Sequence, residues 1–401
     1  MAKTYKPKRF TDISLLKRLD FPLLIRLLER YQSFFEAQDG FAWAHDPAEF
    51  SYDALAKIMM NLDTAAPMEL LETLYYIETL SNIDYFDDLL QIALAQNIRF
   101  GFKPDPTIED LALLLCLECP EEVERYHAQI YRDTQKGTKR FESYFVAGTV
   151  RPMFEPTLER QKAIESELNL WAEEHRRGIG MRVFITQKNN AVWFMIRHGQ
   201  PMKRENAVTE EGGNHQVFYR PEKFDIVIYY PDTEELAIGV RTKGQRLAYT
   251  KAIGRYCFGD ESHFNLEAEA KYTLAPLLES GADVLCCSID IPEIEKVTLY
   301  ELHIAHEGKD NLEIRRYHDL FHTFEKEHRD ITTEKGIGLL KAKLLFHFSD
   351  KRTRIVTLMP PNIAIYDRET EHDLVHAWLV ERGFIIVNQP SLRKAYHGQS
   401  R

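Results

Sequence analysis

The feature that most constrains the fold is a change in the spacing of apolar residues along the chain. From residue 11 to about 135, apolar side chains recur three and four positions apart, which predicts amphipathic helices. From about residue 181 the period becomes two, as in strands with a buried face. Helices followed by mixed strands and helices predict an α+β protein. We expect an all-helical N-terminal domain over 1–140, a central α+β domain with a mixed sheet over 141–330, and a small module of hairpin, helix and strand over 331–401.

Local signals mark several element boundaries. Thr107 and Asp110 form a capping-box pattern that predicts the start of a helix. The pair Asn189-Asn190 lies between two β-rich runs and predicts a turn with positive φ. Strands are predicted at 283–291 and 297–305, and a flexible connection is predicted over 201–217.

Composition indicates a globular protein of the cytoplasm. Of the 401 residues, 44% are hydrophobic and 28% are charged, unlike a disordered chain. The longest apolar run, 111–117, is far shorter than the roughly 20 residues of a membrane span, so no membrane association is expected. Five cysteines do not form a disulfide framework, which favours a reducing compartment. The net charge of −11 argues against a general nucleic-acid coat but leaves room for a local basic patch.

One hairpin carries the strongest functional signal. The segment FDIVIYYPDTEELAIGVRTKG, residues 224–244, resembles the core hairpin of the PD-(D/E)xK nuclease superfamily. The resemblance implies that Asp225 binds Mg²⁺ and that Lys243 polarises the attacking water or stabilises the transition state. Under this alternative Mg²⁺ is the cofactor, and otherwise none is expected. The chain departs from the family at Arg241, where the family has an acid, so Glu222 or Glu235 would have to replace that ligand.

The expected register of the hairpin argues against catalysis. Pairing the apolar rows of the two strands on one buried face places Tyr230 opposite Leu236 and leaves 231–235 as the loop. Asp225 then lies opposite Arg241, and a cross-strand ion pair is expected there. A guanidinium in that position repels a divalent cation.

Two further segments are basic. Alternation in the C-terminal hairpin places its cations on one face, which indicates either a polyanion contact or an exposed sheet edge protected by charge. A predicted helix after the 224–244 hairpin carries cations beside tyrosines, which suits either a solvated face or a nucleic-acid contact. The candidate nucleic-acid-binding residues are Lys341, Lys343, Arg352, Arg354, Arg246 and Lys251.

Other constellations do not predict a metal site. His372 and His376 are spaced as in a zinc helix, but no third ligand is marked by spacing. Cys116 and Cys119 lie in an apolar helical run, so we interpret them as core residues.

Two functions from different classes remain. The first is a non-catalytic adaptor or assembly protein with a protein partner or a second copy of itself, associated in some settings with nucleic acid. The alternative, which the resemblance implies, is an Mg²⁺-dependent nuclease acting on DNA or RNA in a setting such as bacterial defence, or a decayed nuclease core that binds without cutting.

Overall fold

The chain divides into two units, Met1–Thr134 and Gln135–Arg401. The computed structural model describes residues 8–62, 66–98, 106–134, 139–147, 151–175, 177–208, 213–265, 270–286, 291–308 and 311–386. Among the described helices, none combines the length and apolar character that a membrane-spanning segment requires.

The first unit is helical, as the spacing of its apolar residues predicts. Its helices are α1 (Lys8–Thr11), α2 (Ile13–Leu16), α3 (Phe21–Glu29), α4 (Gln32–Glu36), α5 (Tyr52–Met60), α6 (Met68–Leu80), α7 (Phe86–Ala95), α8 (Ile108–Glu118) and α9 (Pro120–Thr134), with a 3₁₀ turn at Ile83–Tyr85. The predicted capping box is present, because Thr107 and Asp110 each accept a hydrogen bond from the other's backbone N–H. Apolar residues from α1 to α9 form one core.

The second unit is built on a ten-stranded sheet. Its strands are β1 (Arg140–Phe145), β2 (Arg182–Lys188), β3 (Ala191–Gly199), β4 (Lys203–Val208), β5 (Asn214–Tyr219), β6 (Glu222–Tyr230), β7 (Glu235–Ile238), β8 (Ile294–His306), β9 (Leu312–Arg316), β10 (Ile337–Phe348), β11 (Thr353–Met359) and β12 (Ile363–Ile365). The order in the sheet is β2-β3-β6-β7-β1-β12-β11-β10-β8-β9, while β4 and β5 form a separate two-stranded sheet.

Helices cover the sheet at both ends. They are α10 (Leu158–Glu174), α11 (Lys243–Phe258), α12 (Ala275–Ser280), α13 (Leu320–Lys326) and α14 (His372–Glu381), with a 3₁₀ turn at Gly281–Leu285. Helices α10 and α11 pack on β2, β3, β6 and β7 around one core. Helices α12, α13 and α14 pack with β8, β10, β11 and β12 around another. The site described below lies at the edge of the first of these cores.

The α+β class is confirmed, but the sheet is antiparallel in every described pairing rather than mixed. The reason is that most neighbouring strands are joined as hairpins, and the crossover to β1 also arrives antiparallel. Strands on both sides of the boundary expected at residue 330 hydrogen-bond to each other, because β10 pairs with β8.

Local predictions succeeded where turn chemistry is strong. Asn189 and Asn190 form the predicted turn with φ of 50° and 53°, and the strand at 297–305 lies within β8. The flexible connection predicted over 201–217 is wrong, since β4 and β5 form a hairpin there. The strand at 283–291 is also wrong in its described part, which is a 3₁₀ turn, and residues 287–290 lie outside the described ones.

Candidate anion-binding site

The register of the β6–β7 hairpin differs by one residue from the prediction. Tyr229, not Tyr230, lies opposite Leu236, and Tyr230 lies opposite Glu235. The alternation argument was wrong because both faces of β6 are buried from Phe224 to Tyr229, so apolar residues fill both rows of the strand. By alternation Asp225 shares a face with Val227 and Tyr229, and this face is buried.

Asp225 is a fully buried acid at the boundary between core and pocket. The strands β3 and β6 pair Ile196 with Asp225 and, one position further out on this face, His198 with Lys223. Towards the core, the next pair on the same face is apolar, Phe194 with Val227. The face therefore passes from apolar to ionic within four residues of strand.

Four donors surround the Asp225 carboxylate. Lys223 Nζ donates to Oδ1 at 2.6 Å, and His198 Nε2 lies 2.8 Å from Oδ2. Gln245 Nε2 and Tyr249 Oη donate to the same Oδ2 at 3.0 and 2.9 Å. Oδ2 therefore accepts contacts from three side chains and Oδ1 from one, the Lys223 ammonium.

Helix α11 supplies two of these donors because of how it begins. Thr242 is its N-cap and accepts a hydrogen bond from the backbone N–H of Gln245. The Thr242 hydroxyl also donates to Gln245 Oε1 at 2.6 Å, which turns the amide nitrogen towards Asp225. Tyr249 follows four residues later, on the same face of the helix.

The charges around Asp225 hold it ionised. Burial acts to raise the pKa of its carboxyl, but hydrogen bonds and charge from His198 and Lys223 outweigh burial and lower that pKa below its usual value. Burial and the neighbouring carboxylate raise the pKa of Tyr249 well above its usual value, so its hydroxyl stays a donor. His198 Nδ1 lies 3.1 Å from the carbonyl oxygen of Gly199, so both ring nitrogens face an acceptor.

The predicted ion pair between Asp225 and Arg241 is absent from this site, because Arg241 lies beyond the end of β7 and is exposed. Lys243 is the first residue of α11 and is also exposed. Glu222 is exposed at the start of β6, with Arg197 Nε 3.8 Å from one of its carboxylate oxygens.

Glu235 belongs to a different buried cluster. Its carboxylate accepts from Lys271 Nζ at 2.5 Å and from Ser143 Oγ at 2.6 Å. In β7 it lies opposite Tyr230, on the face that points away from Asp225. Glu235 is therefore already neutralised by a buried cation.

The residues present do not fit the Mg²⁺ ion that the nuclease resemblance implies. Mg²⁺ needs oxygen ligands in octahedral geometry, and cationic or hydroxyl donors already take the oxygens of Asp225. Glu222 and Glu235 have the partners described above. No group of three or more His, Cys, Asp or Glu residues within the described ranges is arranged to hold a metal ion.

We call Asp225 with its four contacts, His198, Lys223, Gln245 and Tyr249, the Asp225 hub. A pocket of about 430 Å³ opens beside it. Its lining includes Gln200, Pro201, Val240 and Thr242 as well as a set of basic side chains, and no Asp or Glu is among the described residues that line it. The basic residues that line the pocket, which we call the cationic pocket, are Lys139, Arg140, Arg177, His198, Lys223 and Arg241.

The cationic pocket keeps most of its positive charge. The ion pairs of Lys139 with Asp367 and of Arg140 with Glu142 are long, at 3.7 and 3.9 Å. Arg140 Nη1 has no hydrogen-bond partner among the described residues. Asp225 lies behind the lining of the pocket, and its carboxylate is already in contact with His198 and Lys223.

The basic C-terminal ribbon is different, because acids neutralise it. Lys341 and Lys343 donate to the two carboxylate oxygens of Glu301 at 2.9 and 2.8 Å. Arg354 Nε lies 2.7 Å from Glu371, and Arg352 pairs with Asp350. The idea of an exposed edge is wrong here, since β10 is paired on both sides, with β8 and β11.

The structure also shows where the residues of α11 that were predicted to contact nucleic acid lie. Arg246 Nη1 donates to the carbonyl oxygen of Arg241 at 2.8 Å and lies 3.3 Å from Glu142, whereas Lys251 is exposed on α11. Tyr249, expected beside them as a stacking ring, is fully buried.

His372 and His376 lie in α14 with rings 5.1 Å apart, and Tyr230 stacks on His372. Burial and nearby cations lower the pKa of both, that of His376 to about 3. They form a buried aromatic cluster. Cys116 is buried and Cys119 is half-buried at the end of α8, as expected of core residues.

Sequence reasoning missed His198, Gln245 and the basic residues at 139, 140 and 177. The sequence could have indicated Gln245 and Tyr249, because these two polar residues are four positions apart on the largely apolar inner face of α11. Lys223 also carried one, since alternation places it on the face of Asp225. For His198 and Arg177 the sequence holds no comparable signal.

No family model matches the sequence, and comparison with curated proteins finds no match, so the function has to be inferred from the geometry of this site.

Proposed function

We propose that this protein is a non-catalytic adaptor or assembly protein whose α+β unit binds phosphate groups of a nucleic acid in the cationic pocket. The observation that carries the proposal is a pocket lined by six basic residues and no acid, in a protein whose net charge is −11. In an acidic protein such a concentration of positive charge attracts a specific anion rather than coating a polyanion.

The chemistry of the lining fits phosphate. Guanidinium groups donate in a planar fork that matches phosphate oxygens, and Arg140, Arg177 and Arg241 line the pocket. Ammonium groups from Lys139 and Lys223 add charge without fixing an orientation. A volume of about 430 Å³ accommodates a phosphate and part of the attached nucleoside, and the pocket is open to solvent.

The buried hub explains why binding is proposed without cleavage. Asp225 could bind a metal ion only by giving up the Lys223 ammonium at Oδ1 or the three contacts at Oδ2, two of which come from the buried side chains Gln245 and Tyr249. We infer that Asp225 instead positions His198 and Lys223 at the mouth of the pocket. Binding without cutting is the property that this adaptor would share with the decayed-core form of the nuclease alternative.

The helical unit supplies the second half of the proposal, a surface for a protein partner or another copy of the chain. Several of its large apolar side chains are more than half exposed, including Met68 at 72% and Ile83 at 73%. Size-exclusion chromatography with light scattering, alone and with proteins encoded nearby, tests this part. A monomer that binds no partner and turns over a substrate would contradict it.

Binding in the pocket is tested by fluorescence anisotropy with a labelled single-stranded oligonucleotide over a range of salt. If three to five phosphates are neutralised, the slope of log K against log salt is about −2 to −3.5. Arg140→Ala with Arg241→Ala should weaken binding and make the slope shallower by about 1.4. The matched control is Lys341→Ala with Lys343→Ala, which removes two cations that Glu301 already neutralises.

Equal weakening by the control pair would show that binding is diffuse, and absence of binding at low salt would refute the proposal. Incubation with DNA and RNA in Mg²⁺ or Mn²⁺ tests the non-catalytic part. Cleavage that is lost on Asp225→Ala and Lys243→Ala would restore the nuclease alternative.

A further inference from the structure

The strands β4 and β5 form an arm, residues 203–208 and 214–219, that extends from the rim of the cationic pocket. The arm continues the β3–β6 ladder, whose last pair is Gly199 with Glu222. Gln200 N donates to the carbonyl oxygen of Pro221 at 2.7 Å, which closes the base of the arm. Gln200 and Pro201 line the pocket, and the arm starts at Lys203. A ligand that leaves the pocket on this side therefore meets the arm.

Two glycines fix the base of the arm against the rest of the unit. A Cβ on Gly178 or on Gly199 would lie 3.2 Å from the side chain of Arg220, the residue that follows β5. Gly178 also has a φ of +79°, which favours glycine. The close approach of Arg220 to both backbones holds the arm at the pocket rim.

The two faces of the arm differ in charge. Arg204 pairs with Phe218 and Asn206 pairs with Gln216 across one face, and this face has no acid. The opposite face carries Glu205, which accepts a hydrogen bond from the Tyr219 hydroxyl. We call the first face, Arg204, Asn206, Gln216 and Phe218, the amide–aromatic face.

The amide–aromatic face is uncovered in this chain. All four of its side chains are exposed, and Phe218 is 58% exposed. A two-stranded sheet without a covering layer is only marginally stable in water, so a bound molecule would stabilise it. An exposed ring between a guanidinium and two amides suits a flat base that carries hydrogen-bonding edges and an adjoining phosphate.

We propose that a single-stranded nucleic acid with a phosphate in the cationic pocket continues along the amide–aromatic face, with one base stacked on Phe218 and one phosphate paired with Arg204. This rests on the proposed function, because the pocket supplies the first contact. Charge complementarity continues from pocket to arm, and Arg204 lies within about 13 Å of extended chain from Gln200. The bases of a duplex stack on one another, so a duplex leaves Phe218 uncovered.

The test compares labelled single strands of about twelve nucleotides, as DNA and as RNA, with the matching duplex and with a dinucleotide that reaches only the pocket. Phe218→Ala should weaken binding of the single strands about 5- to 100-fold and leave the dinucleotide and the duplex unchanged. Phe218→Trp should retain affinity, and unlabelled strand should quench the added indole fluorescence. Tyr317→Ala is the matched control, since Tyr317 is an aromatic residue with the same 58% exposure outside the arm and the pocket lining.

The outcomes separate this inference from the proposed function. If Phe218→Ala binds every ligand like the unaltered protein while Arg140→Ala weakens them all, the arm has no role and the pocket stands. If the unaltered protein binds a duplex as well as a single strand, strand selection by the arm is refuted. If it binds none of the ligands, the proposed function itself fails. Thermal melting of each variant confirms that an exposed substitution leaves the fold intact.

Discussion

Replacing Asp225 with asparagine directly tests how much the contacts of its carboxylate stabilise the α+β unit. Asparagine keeps the shape of the side chain but removes the charge and one acceptor. If its oxygen faces His198, Gln245 and Tyr249, its NH₂ group faces Lys223, and a donor then meets a donor. We expect Asp225→Asn to destabilise the α+β unit.

The size of the loss follows from the two charge-assisted contacts. The His198 contact is buried, with side-chain exposures of 4% and 0%, and a hydrogen bond of this kind contributes about 1.5–3 kcal/mol. The Lys223 contact contributes less, because Lys223 is 38% exposed and water screens it. Together they predict a decrease in the free energy of unfolding of about 2–4 kcal/mol, or about 4–15 °C in Tm.

Urea denaturation followed by intrinsic tryptophan fluorescence measures this change, since Trp193 is buried in β3 beside the hub. Asp283→Asn, at an exposed carboxylate, is the control and should change stability by less than about 0.5 kcal/mol. The sign of the result is decisive. If Asp225 were an uncompensated acid awaiting a metal ion, neutralising it would stabilise the protein, and that result would refute the hub.

The pH dependence of stability provides a second test of the Asp225→Asn variant. The pKa of Asp225 is lower in the folded protein than the value of ~3.9 in the unfolded chain. Its contribution to stability is therefore fully present above about pH 4 and is lost as pH falls through the folded pKa. The stability difference between the unaltered protein and Asp225→Asn should shrink below about pH 4.

Three further predictions concern stability, each measured by denaturation or melting. Lys271→Met should cost about 3–5 kcal/mol because it leaves the buried Glu235 carboxylate unpaired, and adding Glu235→Gln should recover at least half of the loss; no recovery would contradict the pairing. Gly254→Ala should lower the free energy of unfolding by about 1–3 kcal/mol, since a Cβ there would lie 2.5 Å from the carbonyl oxygen of Asp260. Unchanged stability would mean that the loop at Asp260 can move away without cost. Thr107→Ala should cost about 1 kcal/mol in the helical unit by removing an N-cap, whereas unchanged melting would show that the cap is dispensable.

Helices and tight turns followed from the sequence because their signals are local. The hydroxyl of Thr107, the asparagine pair at 189–190 and Gly383 with its φ of +72° each act within a few residues of themselves. Such signals do not depend on which distant segment packs against them. The helical character of this unit and the start of α8 at its capping box were therefore predicted.

The β4–β5 arm was missed because it lacks the pattern that identifies a strand. In KRENAV and NHQVFY, apolar residues do not alternate with polar ones, since neither face of the arm is packed on a core. Apolar and polar residues alternate along a strand only when one of its faces is buried, and an exposed two-stranded ribbon has no buried face. The segment was consequently interpreted as a connection.

The site was missed for the opposite reason, which is burial on both faces of β6. With Ile226 and Ile228 in one row and Val227 and Tyr229 in the other, two registers bury apolar residues equally well. Asp225 shares its row with Val227 and Tyr229 in either register, so burial of this second row, rather than the register, changes what the acid needs. A surface aspartate needs only water, whereas a buried one needs positive partners.

The positive charge of the pocket follows from that requirement. An ionised carboxylate in the core is stable only if cations and donors compensate it, and here the Lys223 ammonium and the His198 ring do so. Once those two are counted against Asp225, the other basic residues of the pocket, such as Arg140 and Arg241, have no acid in the lining to neutralise them. The pocket therefore carries a surplus of positive charge, because the ion pairs of Lys139 with Asp367 and of Arg140 with Glu142 are long, at 3.7 and 3.9 Å. A phosphate that enters it restores neutrality without disturbing the hub, and for that reason the same burial that argues against a metal ion at Asp225 favours an anion beside it.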